Sequence, residues 1–172
     1  MDKSILIIGT FDTKAEELNF VKDQILAIGE KALTLDVGAL QPSPDYVDIS
    51  NEKVAAAGGR PIYELVSRRD RGQAVAVMAQ GAAKITRELF DRGEISGVIS
   101  LGGGSGTVIG TRAMRTLPLG IPKVMVSTMA SGNVRLYVGI SDICMIHSVV
   151  DISGLNRVTK KILGNAAAAV CG

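Results

Sequence analysis

A short apolar run followed at once by glycines constrains this chain more than any other feature. Residues 98–101 are rich in β-branched side chains and predict a buried strand. Residues 102–104 are three glycines, and residues 105–107 open a segment with helical spacing. The first N–H groups of a helix lack intrahelical partners and lie at the positive end of its dipole. We interpret the turn as a phosphate or carboxylate site, with a tight, closely packed strand–helix turn as the alternative.

Apolar runs alternate with helical patterns along the rest of the chain. Further strands are predicted at residues 5–8, 32–37, 123–127 and 144–150. Alternating strands and helices predict an α/β fold, a doubly wound, mainly parallel and Rossmann-like sheet of about five strands.

Helix boundaries are indicated by capping residues. Thr13 and Glu16 fit an S/T-x-x-E capping box, which predicts that the first helix begins there, and Gly29 predicts its end. Ser50 predicts the start of a short helix, and a longer one is expected after Arg71. Arg71 itself can be a solvated helix-start residue or contact a ligand.

Composition excludes several classes of protein. A net charge of +2 and an aromatic content of 3% give neither the basic face nor the stacking platforms of a nucleic-acid binder. No apolar run reaches the length of a membrane span. Cys144 and Cys171 form no CxxC pair, and we expect reduced thiols in a cytoplasmic protein. His147, the single histidine, lies in an apolar run and is expected in the core, and the sequence contains no zinc-type cluster of ligands.

The chain end bears on domain organisation. Residues 1–172 contain enough apolar sequence for one domain with its own core. The apolar residues 166–170 stand almost at the end of the chain. We therefore expect a single domain that is a fragment of a longer protein.

Small polar segments follow several of the predicted strands. They are residues 9–14, Asp36, residues 102–107, residues 127–132 and Asp142. Because ligands of parallel sheets bind at the carboxyl ends of the strands, we expect these segments to meet in one site.

The site lacks the usual nucleotide motifs. Residues 9–14 contain one glycine, where the dinucleotide fingerprint G-x-G-x-x-G needs three, and no Walker A sequence occurs. We therefore expect a nucleotide held by backbone and hydroxyl donors of residues 102–107 and 127–132. Lys14 can neutralise phosphate charge or be a surface lysine. Asp36 can accept from a ribose hydroxyl or be a satisfied strand-end aspartate.

Aspartates suggest a cation in the same place. Asp12, Asp142 and Asp151 can hold Mg²⁺ through water, with turn or cap aspartates as the alternative. The residues that we assign to cofactor binding are Gly9, Thr10, Asp12, Thr13, Lys14, Asp36, Gly102, Gly103, Gly104, Ser105, Gly106, Thr107, Ser127, Thr128, Ser131, Gly132 and Asp142.

Several segments, taken together and in order, resemble a known family. They are residues 9–14, 71–72, 101–107, 120–132, 139–142 and 148–156. The chain resembles the Tm-one-like ATP-binding proteins over essentially its whole length. The resemblance implies ATP as the ligand, a Rossmann-like N-terminal half, a second α/β half that is missing here, and self-association into a homo-oligomer.

Two other functions stay open from the sequence. The chain can be an enzyme that acts on a phosphorylated or carboxylated metabolite, with Asp12 or Asp142 as acid or base. It can also be an interaction module in which a nucleotide stabilises an oligomer. No catalytic residue is assigned.

Overall fold

The computed structural model describes residues 3–68 and 70–172. Its five strands are β1 (Ser4–Gly9), β2 (Lys31–Asp36), β3 (Ile95–Gly102), β4 (Lys123–Ser127) and β5 (Cys144–His147). They form one parallel sheet in the order β2-β1-β3-β4-β5. The predicted α/β, Rossmann-like fold is confirmed.

Helices cover both faces of this sheet. They are α1 (Phe11–Ile28), α2 (Asn51–Ala57), α3 (Ile62–Arg68), α4 (Arg71–Asp91), α5 (Gly104–Met114), α6 (Arg135–Val138) and α7 (Arg157–Cys171). Helices α1 and α7 pack on one face, while α2, α3, α4 and α5 pack on the other. Each face therefore has its own apolar core.

The first strand shows why the apolar runs are uninterrupted. Leu6 and Ile8 point into the core beneath α4 and α5, whereas Ile5 and Ile7 point into the core beneath α1 and α7. A strand covered on both faces needs apolar side chains at every position. Strand β1 is such a strand, and all four of these side chains are buried.

The strand order creates a switch point between β1 and β3. The chain passes from β1 outward to β2, then crosses back over β1 to β3 and continues to β4 and β5. The connections that leave β1 and β3 therefore diverge at the carboxyl edge. A crevice is expected between them, and ligands of such sheets bind there.

Some predicted boundaries are wrong. Helix α1 begins at Phe11 with Thr10 at its N-cap, so Thr13 lies inside the first turn and forms no capping box with Glu16. Lys14 has non-helical backbone angles (φ −135°, ψ 27°), which separate that first turn from the rest of the helix. Strand β5 ends at His147 rather than at residue 150. Helices α3 and α6 were not predicted.

The backbones of helices α2 and α4 approach each other closely at two glycines. A Cβ atom added at Gly81 would lie 1.9 Å from the Val54 carbonyl oxygen, and one at Gly58 would lie 2.2 Å from the Val77 carbonyl oxygen. Both contacts are with backbone, which cannot rotate away. Glycine is therefore required where the two helices meet.

We expect Gly81→Ala to lower the free energy of unfolding by about 3 kcal/mol, because the methyl group must push α2 and α4 apart. Gly164 is the matched control, since it lies inside α7 and the nearest atom to an added Cβ is 3.7 Å away. Gly164→Ala should instead raise the free energy of unfolding by about 0.5–1 kcal/mol through helix propensity. Urea denaturation measures both, and similar effects at the two positions would contradict the close contact.

Candidate functional site

A cleft of about 750 Å³ opens at the carboxyl edge of the sheet, between the connections that leave β1 and β3. Its polar lining comprises Thr10, Asp12, Thr13, Lys14, Asp70, Arg71, Ser105 and Asp151. The glycines of the turn after β3 form part of its wall: Gly102, Gly103, Gly104 and Gly106. Nine of the residues assigned from the sequence thus meet in one cavity.

The glycine turn presents backbone donors to the cleft. Gly103 is the N-cap of α5 and supplies no side-chain cap. In the part of the chain that the structure describes, the N–H groups of Gly104, Ser105 and Gly106 have no hydrogen-bond partner, and the first intrahelical bond runs from Thr107 N to Gly103 O at 2.8 Å. A Cβ atom at Gly104 would meet no atom within 4 Å. The start of α5 is therefore open to an anion.

Two buried hydroxyls support this turn from behind. The Thr107 hydroxyl donates to Gly103 O at 2.7 Å. The Ser127 hydroxyl lies 2.6 Å from the Thr107 hydroxyl. Ser127 Oγ in turn accepts from Met129 N at 2.9 Å. Thr107 and Ser127 are fully buried and do not line the cleft. They hold the turn in shape and have no free hydroxyl to offer a ligand.

The loop after β4 lies beside the glycine turn rather than across the cleft. Thr128 N donates to Gly102 O at 3.3 Å, and Thr128 Oγ1 is 3.6 Å from where a Gly103 Cβ would be. Thr128, Ser131 and Gly132 are absent from the lining of the cleft. Of the two loops expected to grip phosphates, one forms the cleft wall and the other backs it.

The start of α1 forms the opposite wall. The hydroxyls of Thr10 and Thr13 lie 2.9 Å apart, and Asp12 Oδ2 accepts from Leu40 N at 2.9 Å. Gly9 is not in the lining; a Cβ there would overlap the Leu18 side chain, so this glycine allows β1 to pack against α1.

Helix α1 also anchors the segment that carries Asp151. Lys14 Nζ donates to Ile152 O at 2.6 Å, and buried Glu17 accepts from Gly154 N at 2.6 Å. These two bonds hold the chain after β5 against α1. Asp151 reaches the cleft as a result.

Asp36 has a structural role. Its side chain is fully buried, and Oδ1 accepts from Phe11 N at 3.0 Å and from Gly38 N at 2.8 Å. Oδ2 accepts from the Ser43 hydroxyl at 2.6 Å. Burial raises the pKa of Asp36, and the three donors oppose that shift. Of the two interpretations offered by the sequence, the structure supports the satisfied strand-end aspartate.

Arg71 completes the polar side of the cleft. It is the first residue of α4, and its Nη2 donates to the Ser105 hydroxyl at 3.3 Å. The preceding Asp70 caps the helix by accepting from Gln73 N at 3.0 Å. Of the two interpretations of Arg71, a solvated helix-start residue and a ligand contact, the structure places its side chain in the cleft, because α4 packs against α5.

The rest of the cleft is apolar. Val37, Ala39, Leu40, Leu65, Val66, Ala74, Val75, Met78 and Ile109 line it. Most of this part was missed because Leu65 and Val66 lie on α3, which was not predicted, and the residues from α4 and α5 fit the apolar faces of those helices.

Two cations and three carboxylates line the cleft. Lys14 and Arg71 oppose Asp12, Asp70 and Asp151, which leaves the lining side chains with a formal charge of −1. No group of three or more His, Cys, Asp or Glu side chains within residues 3–68 and 70–172 is placed to hold a metal ion. In that same part of the chain, no helix is both long and apolar enough to cross a membrane.

Comparison with known proteins places the chain in a family. The model of the N-terminal domain of uncharacterised protein family UPF0261 matches residues 3–172. The chain belongs to the UPF0261 family. A UPF0261 protein of Clostridium tetani is 51% identical over 172 residues, which cover 100% of this chain and 43% of that protein. A UPF0261 protein of Rhizobium meliloti is 48% identical over 168 residues, which cover 98% of this chain and 41% of that protein.

The predicted resemblance is confirmed by a plant relative. The tomato protein named ToMV susceptible protein tm-1(GCR26) is 33% identical over 183 residues, covering 98% of this chain and 24% of that protein. The chain thus spans about two fifths of the length of the two bacterial UPF0261 relatives.

The expectation that Asp142 belongs to the site is wrong. Asp142 precedes β5 and lies at the amino edge of the sheet, where Oδ1 accepts from Lys123 Nζ at 2.6 Å and Oδ2 from Gly120 N at 2.7 Å. The buried Lys123 ammonium lowers the pKa of Asp142 to about 2. The three aspartates proposed for Mg²⁺ therefore do not meet.

We expect Asp142→Asn to lower the urea midpoint at pH 7, because the buried Lys123 ammonium loses its anion. The folded pKa of about 2 lies below the ordinary 3.8, so this stabilisation is present above pH 4 and is lost as pH falls through about 2. Asp91→Asn is the control, since its pair with Arg87 is exposed and contributes little. A variant as stable as the wild type at pH 7 would contradict this assignment.

Proposed function

We propose that this chain binds ATP, as its Mg²⁺ complex, in the cleft between β1 and β3. The observation that carries the proposal is the start of α5, where three residues whose backbone N–H groups have no partner in the described chain line a cavity large enough for a nucleotide. Backbone N–H groups at a helix start are phosphate ligands in many unrelated nucleotide sites. The similarity to Tm-one-like ATP-binding proteins supports the same ligand.

The side chains on both walls fit a polyphosphate. Arg71 lies beside the N–H groups, through its bond to Ser105, and its planar guanidinium suits paired phosphate oxygens. Lys14 enters from the α1 wall as a point charge. The phosphates would therefore lie between the starts of α1, α4 and α5.

The charge of the lining favours the magnesium complex over the free nucleotide. Asp12, Asp70 and Asp151 outnumber the two cations, so a bare triphosphate would meet net repulsion. Magnesium usually keeps several waters and is held by phosphates with one or two carboxylates. Asp12 lies two residues before Lys14, and Asp151 precedes Ile152, whose carbonyl accepts from Lys14, so both carboxylates can contact such waters.

A second candidate function is an enzyme acting on a phosphorylated metabolite. The observation in its favour is that Asp12 and Asp151 both line a cleft that also has phosphate donors. Asp142 cannot take part, because it lies at the other edge of the sheet. Self-association, a cytoplasmic location and a second domain stay predictions.

We expect Arg71→Ala to weaken ATP binding about 10- to 100-fold, since a hydrogen bond to a charged group contributes about 1.5–3 kcal/mol. Arg157→Ala is the matched control, because Arg157 is also the exposed first residue of a helix but lies outside the cleft. Calorimetric titration with ATP and Mg²⁺ measures both variants. Equal affinities of the two variants would argue against a phosphate contact by Arg71.

Gly104→Val tests the glycine turn directly. We expect it to weaken ATP binding at least about 30-fold, because the side chain would occupy the space in front of the α5 donors. Its fold should persist, since a Cβ at Gly104 meets no protein atom within 4 Å. Gly132→Val, in the loop that backs the turn, should keep its affinity. Loss of folding by Gly104→Val would instead support a purely architectural turn.

A further inference from the structure

The lining of the cleft combines two chemically different sets of side chains. Its polar side chains come from the starts of α1, α4 and α5 and from Asp151. The part next to the connection after β2 and α3 is lined by apolar side chains, among them Val37, Leu65 and Met78. An anionic group at the helix starts would therefore carry an apolar or flat body into the second part.

The polar groups that could read a ribose near the end of β2 are already occupied. Asp36 is the acidic residue at the end of that strand, and all three of its hydrogen bonds are to Phe11, Gly38 and Ser43 within the chain. Ser43 Oγ also accepts from Asn51 N at 2.8 Å. None of Asp36, Ser43 and Asn51 lines the cleft.

The apolar part also lacks side chains that distinguish one base from another. Leu40, Leu65, Val66, Val75 and Met78 offer contact area but no hydrogen-bond donor or acceptor suited to a base edge. A site without paired polar groups cannot strongly reject an analogue that differs by a hydroxyl or an amino group, whereas a site built around such groups can.

Resting on the proposed function, we infer that this cleft recognises nucleoside triphosphates as a class. It binds the phosphates through α5 and Arg71, buries the base among apolar side chains, and reads neither the 2′-hydroxyl nor the base edge with a side chain. ATP, 2′-deoxy-ATP and GTP are then ligands of similar affinity.

A calorimetric panel on the wild-type chain tests this inference. With Mg²⁺ present, 2′-deoxy-ATP should bind within about 3-fold of ATP and GTP within about 5-fold, while inorganic tripolyphosphate, which buries no base, should bind at least about 10-fold more weakly. If ATP binds but the affinity for 2′-deoxy-ATP or GTP is lower by about 20-fold or more, the inference is overturned and the proposed function stands. Tripolyphosphate as tight as ATP also overturns it. Binding of none of the four overturns the proposed function as well.

A variant that fills the apolar part separates the two ends of the ligand. Val75 lines the cleft and is half-buried. Val75→Phe should weaken ATP at least about 10-fold and leave tripolyphosphate unchanged, whereas Arg71→Ala should weaken both. Val158→Phe, at an exposed position on α7, is the control. Equal weakening of ATP and tripolyphosphate by Val75→Phe, or no effect on ATP, contradicts the inference; if the variant does not fold, the wild-type panel decides.

Discussion

The carboxylate of Asp36 ties together the segments that form one wall of the cleft. It accepts from Phe11 N at the start of α1, from Gly38 N and from Ser43 in the connection after β2. Burial of a charged group is costly unless it is paired or hydrogen-bonded, and here three donors offset the cost. The next contact follows from this one: Gly38 lies so close to Asp12 that a Cβ would be 2.5 Å from its carboxyl carbon, and Asp12 accepts from Leu40 N.

The other wall, the glycine turn at the start of α5, differs because some of its backbone N–H groups have no partner among the described residues. Behind the glycine turn, Thr107 and Ser127 satisfy each other and the backbone of the following loop. In front of it, Gly104 to Gly106 have N–H groups without acceptors among the described residues. A fold that pairs the polar groups behind the turn and not those in front of it provides a place for an anion. Under the proposed function, a phosphate of the ligand supplies the missing partner.

Local patterns were enough to predict the sheet and the glycine turn. The strand at residues 98–101 and its glycines are contiguous, and each of the other strands is a short apolar run. The positions of two side chains depend on the topology of the sheet and its helices. Arg71 reaches Ser105 because α4 packs against α5 and both helices begin at the carboxyl edge of the sheet. Asp142 lies at the amino edge because it precedes β5, an order that the predicted strand at residues 144–150 already implied. Asp36 was correctly placed at a strand end, but its three partners come from 2 to 25 residues away.

The central claim is that the start of α5 is a phosphate site within this chain. An amide NMR titration of the isotope-labelled chain with ATP and Mg²⁺ tests it most directly, since each backbone N–H group reports its own hydrogen bonding. We expect the largest shifts at Gly104, Ser105 and Gly106, with smaller shifts at Lys14 and Arg71 and none at Gly132 or Asp142. Saturating shifts centred elsewhere, or no shifts in a folded chain, would contradict it.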